Sequence, residues 1–302
     1  MNQFMQRYEN LGQSFDPDLV DLKKSFRINT LNISSEDLLK RLHAKGVKTK
    51  KIPFLKNGFY FESSFPLSST EEYLLGHIYI QEAASQVPCE VLFDGVDISS
   101  LSSDVVALDM CAAPGSKTTQ LAQLLNDDFL IVALDDVAPR LEKLKDNIVR
   151  LGLKSVLTFK KDGSYVDDLN LKFDFILLDA PCSGNFCVNK NFFKERSLLL
   201  GIKKMPKTQK QLLKAAWRVL KKGGVLVYST CSLEPEEDEL VIDWFLKEKD
   251  DAKLLPVNVS VADDGRTNIF SKELHPDIKL TKKFWPHKTG TEGFFVAKIK
   301  KV

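Results

Sequence analysis

From about residue 104 onward, short apolar runs alternate with amphipathic stretches. The runs Val105–Asp109, Leu130–Asp135, Ser155–Phe159, Phe173–Asp179 and Gly224–Thr230 predict strands. Several of them are apolar on both faces, as buried parallel strands are. The stretches between them, about 116–126, 138–151, 207–221 and 235–248, carry helical periodicity. Strand–helix alternation predicts an α/β fold, an open and mostly parallel sheet with helices on both sides. Gly293–Ile299 predicts a last strand, antiparallel, at the far end of that sheet.

The first hundred residues have another texture. Ser25–Ile33 alternates like a strand, with Phe26, Ile28 and Leu31 on an imperfect apolar face. Ser34-Ser35-Glu36-Asp37 offers an N-cap and first-turn acids for a helix to about Lys45, and Gly46 stops it. Val47–Phe54 and Gly58–Phe61 predict further short strands, and Tyr73–Ser85 predicts a helix leading to the larger part. The expected division is a small α+β module over 1–100 and an α/β domain over 101–302.

A length of 302 residues fits one or two domains. With 43% apolar and 28% charged residues the composition excludes wholesale disorder. The longest strictly apolar run, Phe129–Leu134, is far short of the roughly 18 residues a membrane span needs. The polar start MNQFMQRYEN lacks a signal-peptide core, so the expected location is cytoplasmic. Five cysteines without a Cys-x-x-Cys pair, and four scattered histidines, argue against a disulfide framework and a structural zinc; no metal is expected. Net charge is only +2, but it is unevenly spread. Residues 184–224 hold eleven Lys/Arg against one acid, and residues 21–60 hold ten against three. Residues 234–251 hold nine acids and two lysines, which reads as a solvated acidic helix. Two basic stretches suggest an anionic partner.

Ligands of open α/β sheets bind beyond the carboxyl ends of the strands. The first strand is followed by Asp109-Met110-Cys111-Ala112-Ala113-Pro114-Gly115-Ser116-Lys117-Thr118. This small-residue turn lets the backbone approach a ligand, and the next helix N-terminus favours an anionic group. The second strand ends in Asp135, 20 residues after Gly115, placed to accept hydrogen bonds from a ribose. The third is followed by Asp162, which suits an adenine amino group. The fourth and fifth end in Asp179-Ala180-Pro181-Cys182-Ser183 and Ser229-Thr230-Cys231-Ser232. Two cysteines on the loops of neighbouring strands are candidate nucleophiles.

The segments CAAPGSKT, DAPCSG, YSTCS and TEGFF, with FRINTL and YIQEAAS nearer the N-terminus, resemble the Sun/Fmu-type RNA cytosine-5 methyltransferases. The resemblance runs from about residue 25 to the C-terminus, and the compact size is most like the archaeal transfer-RNA members. It implies a Rossmann-like class I methyltransferase sheet, an RNA-recognition-like N-terminal module, and S-adenosylmethionine as methyl donor. Residues Cys111 to Lys117 would line its methionine end. Asp135, with Arg140 nearby, would bind the ribose, and Asp162 the adenine. Asp179 would sit between donor and cytosine. Cys231 matches the nucleophile and Cys182 the residue that assists release of product. Ser116 departs from the family, which usually has a second glycine there; a positive φ at that position would strain it.

The chemistry implied is addition of a Cys231 thiolate at C6 of cytosine, attack of C5 on the donor methyl group, loss of the C5 proton and elimination of the thiol. Asp179, if protonated or sharing a proton, would donate at N3, and Lys117 would stabilise developing negative charge. Cys182 or a water takes the proton. The base must leave its stack. The basic stretch after Cys182 would track phosphates, and Phe186, Phe192 and Phe193 within it would stack bases. The partner expected is RNA, first of all transfer RNA, with ribosomal RNA as the alternative; an archease-type helper is implied by archaeal relatives. Two remoter readings remain. A DNA cytosine-5 methyltransferase would use Cys182 as nucleophile and dispense with Cys231. A non-catalytic RNA-binding assembly factor would not need Cys182, Cys231, Asp179 and Asp135 together.

Overall fold

In the computed structural model, which describes residues 3–184 and 203–302, the frame is a sheet of five parallel strands. They are β5 (Val106–Asp109), β6 (Leu130–Asp135), β7 (Val156–Lys160), β8 (Phe173–Asp179) and β9 (Leu220–Thr230). Their order is β7-β6-β5-β8-β9, so the chain reverses direction across the sheet between β5 and β8. That is a doubly wound arrangement, with its ligand crevice at the switch point. β10 (Phe294–Lys301) joins β9 antiparallel, as the sequence predicts.

Helices α5 (Ser116–Leu124), α6 (Ala138–Leu151) and α7 (Met205–Val219) follow β5, β6 and the segment after β8. Proline near its start and Gly152 in the left-handed conformation at its end delimit α6. The strand after α7 begins earlier than expected, because Leu220 already pairs with Phe173 on β8. Among the described residues no helix is long and apolar enough to cross a membrane.

The N-terminal sheet is antiparallel in the order β2-β3-β1-β4. It comprises β1 (Ser25–Ile28), β2 (Lys48–Lys51), β3 (Gly58–Glu62) and β4 (Ile78–Ile80), covered by α2 (Ser35–Ala44). The cap of α2 is as expected: Ser34 accepts from the Asp37 amide, and Gly46 has φ +80°. The helix expected over Tyr73–Ser85 is absent. Its start falls in the short α3 (Glu71–Leu74) and its end in a 3-10 turn at Ala84–Gln86, and between them β4 pairs with β1 instead. Gly76 makes the break: φ is +70°, and a Cβ there would lie 2.1 Å from the Arg150 carbonyl oxygen. Strand pairing to β1 outweighs the local helical pattern.

The N-terminal sheet has its own core of Phe26, Ile28, Leu38, Leu42, Phe59 and Ile78, while two helices from the first hundred residues pack on the parallel sheet. Helix α1 (Gln3–Asn10) buries Phe4, Met5 and Tyr8 in the same apolar cluster as Trp217 and Phe245, behind the parallel sheet. α4 (Val87–Leu92) packs Val87, Val91 and Leu92 with Ala107, Leu177 and Val227 on its other face.

The acidic stretch is not solvated. Glu234, Glu237, Asp238, Glu239 and Asp243 are buried. Helix α8 starts only at Glu239 and runs to Glu248. The preceding carboxylates are tied across the fold: Glu234 accepts from Tyr8 Oη at 2.9 Å and pairs with Arg7 at 3.0 Å, and Lys283 Nζ lies 3.0 Å from Asp238 and 2.6 Å from Glu239. Internal cations and donors make burial of these acids tolerable.

Candidate active site

The carboxyl ends of all five parallel strands, β5 to β9, open on one cavity of about 550 Å³. Its walls include Cys111, Ala113, Asp135, Arg140, Asp162, Asp179, Cys182 and Cys231, with Thr208, Gln211 and Leu212 contributed by α7. Five loops that the sequence spreads over 120 residues thus meet where the strand order reverses.

The β5–α5 turn is held from below. Ala112 N donates to the Leu134 carbonyl at 2.8 Å, and Arg140 donates to the Ala113 carbonyl at 2.6 Å. Gly115 takes φ +106°; Ser116 begins α5 and carries no positive φ, so its departure from glycine costs no backbone strain. Ala112 is buried beneath the turn. Pro114 faces a separate cavity with Tyr73, Tyr79 and Arg150. Gly115 and Ser116 shape the turn rather than line the main cavity.

Asp135 is 4% exposed. Its Oδ2 accepts from Ala113 N at 3.2 Å and its Oδ1 from Val137 N at 3.0 Å, with Arg140 at 3.5 Å. Asp162 is exposed and accepts from Ser164 N at 2.8 Å.

Asp179 and Lys117 form the polar centre. Lys117 Nζ donates to Asp179 Oδ2 at 2.8 Å, and Ser229 Oγ donates to Oδ1 at 2.7 Å. Both oxygens act as acceptors in this arrangement, and the donors are the Lys117 ammonium and the Ser229 hydroxyl. Burial acts to lower the Lys117 pKa, but Asp179 and the nearby thiols Cys89 and Cys231 reverse this and raise it. Phe294, just beyond TEGF's glycine, lies under the ammonium at 5.3 Å from its ring centre.

The register Asp179↔Ser229 brings the two cysteine loops side by side. The Cys182 thiol is hydrogen-bonded with Cys231, and this bond, together with burial, holds its pKa well above the usual range. Cys111 is also pushed up, by burial and by Asp109, Asp179 and Asp135. Phe186, Phe192 and Phe193 and most of the first half of the basic stretch lie outside the described residues.

Residues 99–300 match the family described as 16S rRNA methyltransferase RsmB/F, and residues 1–83 match the N-terminal domain of RsmF. The chain belongs to the RsmB/F family. It is 38% identical to ribosomal RNA small subunit methyltransferase F of Vibrio cholerae over 93% of this chain and 58% of that protein. It is 35% identical to a 28S rRNA (cytosine-C(5))-methyltransferase of Mus musculus over 92% of this chain and 35% of that protein. It therefore spans little more than half, or about a third, of the length of these relatives. Among solved structures, a methyltransferase homolog protein from Pyrococcus horikoshii superposes with a TM-score of 0.82 at 40% identity, covering 98% of this chain and 90% of that one. NSun6 from the same organism, solved with SFG, gives 0.79 at 27% identity over 94% and 91%.

S-adenosylmethionine is the methyl donor of the RsmB/F family. The cavity fits such a group. Its volume lies within the about 300–1,000 Å³ usual for small-molecule sites, and it presents a buried carboxylate, Asp135, whose protein partners are two amides and Arg140. Three residues that shape the site escape the sequence reading. Ser229 orients Asp179, Phe294 supports Lys117, and Glu237 bonds to both cysteine loops. Ser229 and Phe294 sit inside motifs that were legible, YSTCS and TEGFF, but a serine and a phenylalanine carry no chemical signature of their own. Glu237 hides in an acidic run.

Proposed function

We propose that the chain is an S-adenosylmethionine-dependent RNA cytosine-C5 methyltransferase acting on ribosomal RNA. The observation that carries the reading is the contact between Cys182 and Cys231 beside the Lys117–Asp179 pair, on the rim of a cavity fit for the donor. One thiol suffices for a DNA-type enzyme; two in contact suit addition by one and release by the other. Ribosomal RNA is favoured over the transfer RNA expected from the sequence because the named relatives are, by those names, small-subunit and 28S rRNA enzymes.

S-adenosylmethionine supplies an electrophilic methyl group when bound, with Asp135, Arg140 and Asp162 as the residues to hold it. Cys231, as thiolate, adds at C6 of the flipped cytosine and makes C5 nucleophilic. The Lys117 ammonium, electrostatically coupled to Cys231, favours that thiolate and faces the negative charge that develops on the ring. After methylation a water takes the C5 proton as the C6–sulfur bond breaks, and Cys182, which retains its proton, is placed to hydrogen-bond the departing Cys231 thiolate.

The test is label transfer from tritiated S-adenosylmethionine to unmodified ribosomal RNA, transfer RNA and duplex DNA. Wild type is compared with Cys231→Ala and Cys182→Ala. The reading expects 5-methylcytosine in ribosomal RNA, none with Cys231→Ala, and a denaturant-resistant protein–RNA adduct with Cys182→Ala. Label only in transfer RNA overturns the substrate. Loss of bond formation in Cys182→Ala but not in Cys231→Ala overturns the thiol roles.

A further inference from the structure

Glu237 is fully buried between β9 and α8, and nothing in the reaction above uses it. Its carboxylate nevertheless joins the two loops that carry the thiols. Oε2 accepts from the Ser183 amide at 2.9 Å and from Gln209 Nε2 at 2.9 Å. Oε1 accepts from Ser232 Oγ at 2.8 Å and from Ser183 Oγ. Ser183 follows Cys182 and Ser232 follows Cys231. Gln209, on α7, also donates to the Pro181 carbonyl at 3.0 Å, so the Cys182 loop is gripped on both sides of its thiol. The backbone of Glu237 is itself fixed, its carbonyl accepting from Tyr228 Oη at 2.6 Å.

We infer that Glu237 is a positioning residue that sets the spacing of Cys182 and Cys231. A buried carboxylate is costly unless its lone pairs are filled. Here four donors fill them, and three of the four come from the residues next to the thiols. Charge-assisted bonds to backbone and hydroxyl donors are short and directional, so they fix loop geometry as well as contributing energy. Reacting groups misplaced by about an ångström lose roughly 100-fold in rate. The catalytic consequence rests on the thiol roles proposed above; the geometric claim does not.

The geometry is tested without RNA. Diamide oxidises two neighbouring thiols to a disulfide and is itself reduced to the hydrazine, so the rate of Cys182–Cys231 crosslinking, located by peptide mass spectrometry, reports their spacing. Glu237→Ala is expected to slow it at least fivefold. In Glu237→Gln the amide oxygen can accept from Ser183 N and Gln209 while the NH₂ donates to the two hydroxyls, and the rate is expected to return to within twofold of wild type. Should Glu237→Ala not fold, Ser232→Ala removes one of the four donors to Glu237, together with the acceptor of the Glu234 amide, and is expected to slow crosslinking two- to threefold. Unchanged or faster crosslinking in the folded variant overturns the inference. In the methylation assay, Glu237→Ala is expected to lower kcat at least tenfold with the donor KM unchanged. Slowed crosslinking in a chain that methylates no RNA sinks the methyltransferase reading and keeps the clamp. Methylating wild type with unaltered crosslinking in Glu237→Ala sinks the clamp alone.

Discussion

Lys117 and Asp179, 62 residues apart, are joined by a 2.8 Å ion pair at the point where the parallel sheet reverses. Lys117 is 9% exposed and Asp179 28%, so the pair faces the cavity from the carboxylate side while the ammonium is sunk against Phe294. Its position suits a fixed positive charge for an electron-rich ring intermediate. Lys117→Met keeps the length of the side chain and removes the charge. Loss of one such preorganised donor costs about 100-fold or more in turnover. Single-turnover methylation with saturating donor is expected to slow by that order; a rate within twofold of wild type would exclude an electrostatic role for Lys117.

Arg27, in FRINTL, is buried and holds the two sheets together. Its guanidinium donates to Gln81 Oε1 at 3.2 Å, Thr119 Oγ1 at 2.9 Å, the Ser116 carbonyl at 3.4 Å and Gln123. Burial without a carboxylate partner lowers its pKa to about 10, still fully charged at neutral pH. Arg27→Ala leaves the Gln81, Gln123 and Thr119 groups without their donor, at about 1–3 kcal/mol for each group left unsatisfied. Urea unfolding is expected to show a loss of about 3 kcal/mol or more. A loss under about 0.5 kcal/mol, the range of ordinary surface substitutions, would mean water replaces the guanidinium without penalty.

The order of elements was legible where periodicity and burial agree. Runs such as Leu130–Asp135 and Phe173–Asp179 are apolar enough to be central strands whatever surrounds them, and the residues at their ends are the ones that meet in the cavity. Legibility failed where long-range partners decide. Ile78–Ile80 becomes a strand only because β1 offers an edge. Glu234, Glu237 and Asp238 look like surface acids until Arg7, Ser183 and Lys283 arrive from distant parts of the chain. Charge in a sequence says nothing of which cation is waiting in the fold.

Gly115 is required twice over. Its φ of +106° is open to glycine and strained for other residues, and a Cβ would lie 2.7 Å from Leu144 Cδ1 on α6. Gly115→Ala must shift either the turn that carries Cys111 and Ala113 or the helix behind it. Backbone strain alone costs about 1–3 kcal/mol, and the displaced turn loses its alignment with Asp135. Calorimetric titration is expected to show S-adenosylmethionine binding weakened about tenfold or more, with the melting temperature lowered. Native donor affinity in this variant would mean the turn does not touch the donor.

Asp109 gives the clearest pH dependence. It is 1% exposed, accepts from Thr118 Oγ1 at 2.7 Å through Oδ2, and burial raises its pKa to about 7 against an ordinary 3.8. The sign follows from proton binding. Between about pH 4 and 7 the folded state holds a proton that the unfolded state has released, so stability falls as pH rises through this window and the full cost is present above it. At about 1.4 kcal/mol per unit, the effect is of the order of a few kcal/mol. Asp109→Asn keeps an acceptor for Thr118 and cannot ionise. Urea midpoints are expected to drop from pH 5.5 to pH 8 in wild type, and to drop less in Asp109→Asn. Other buried acids, Glu82 among them with a pKa raised to about 7, contribute equally to both proteins and cancel in the comparison. Identical pH profiles would mean that Asp109 ionises in the folded protein at the same pH as in the unfolded chain, and that its buried charge is compensated by Lys117 across the site.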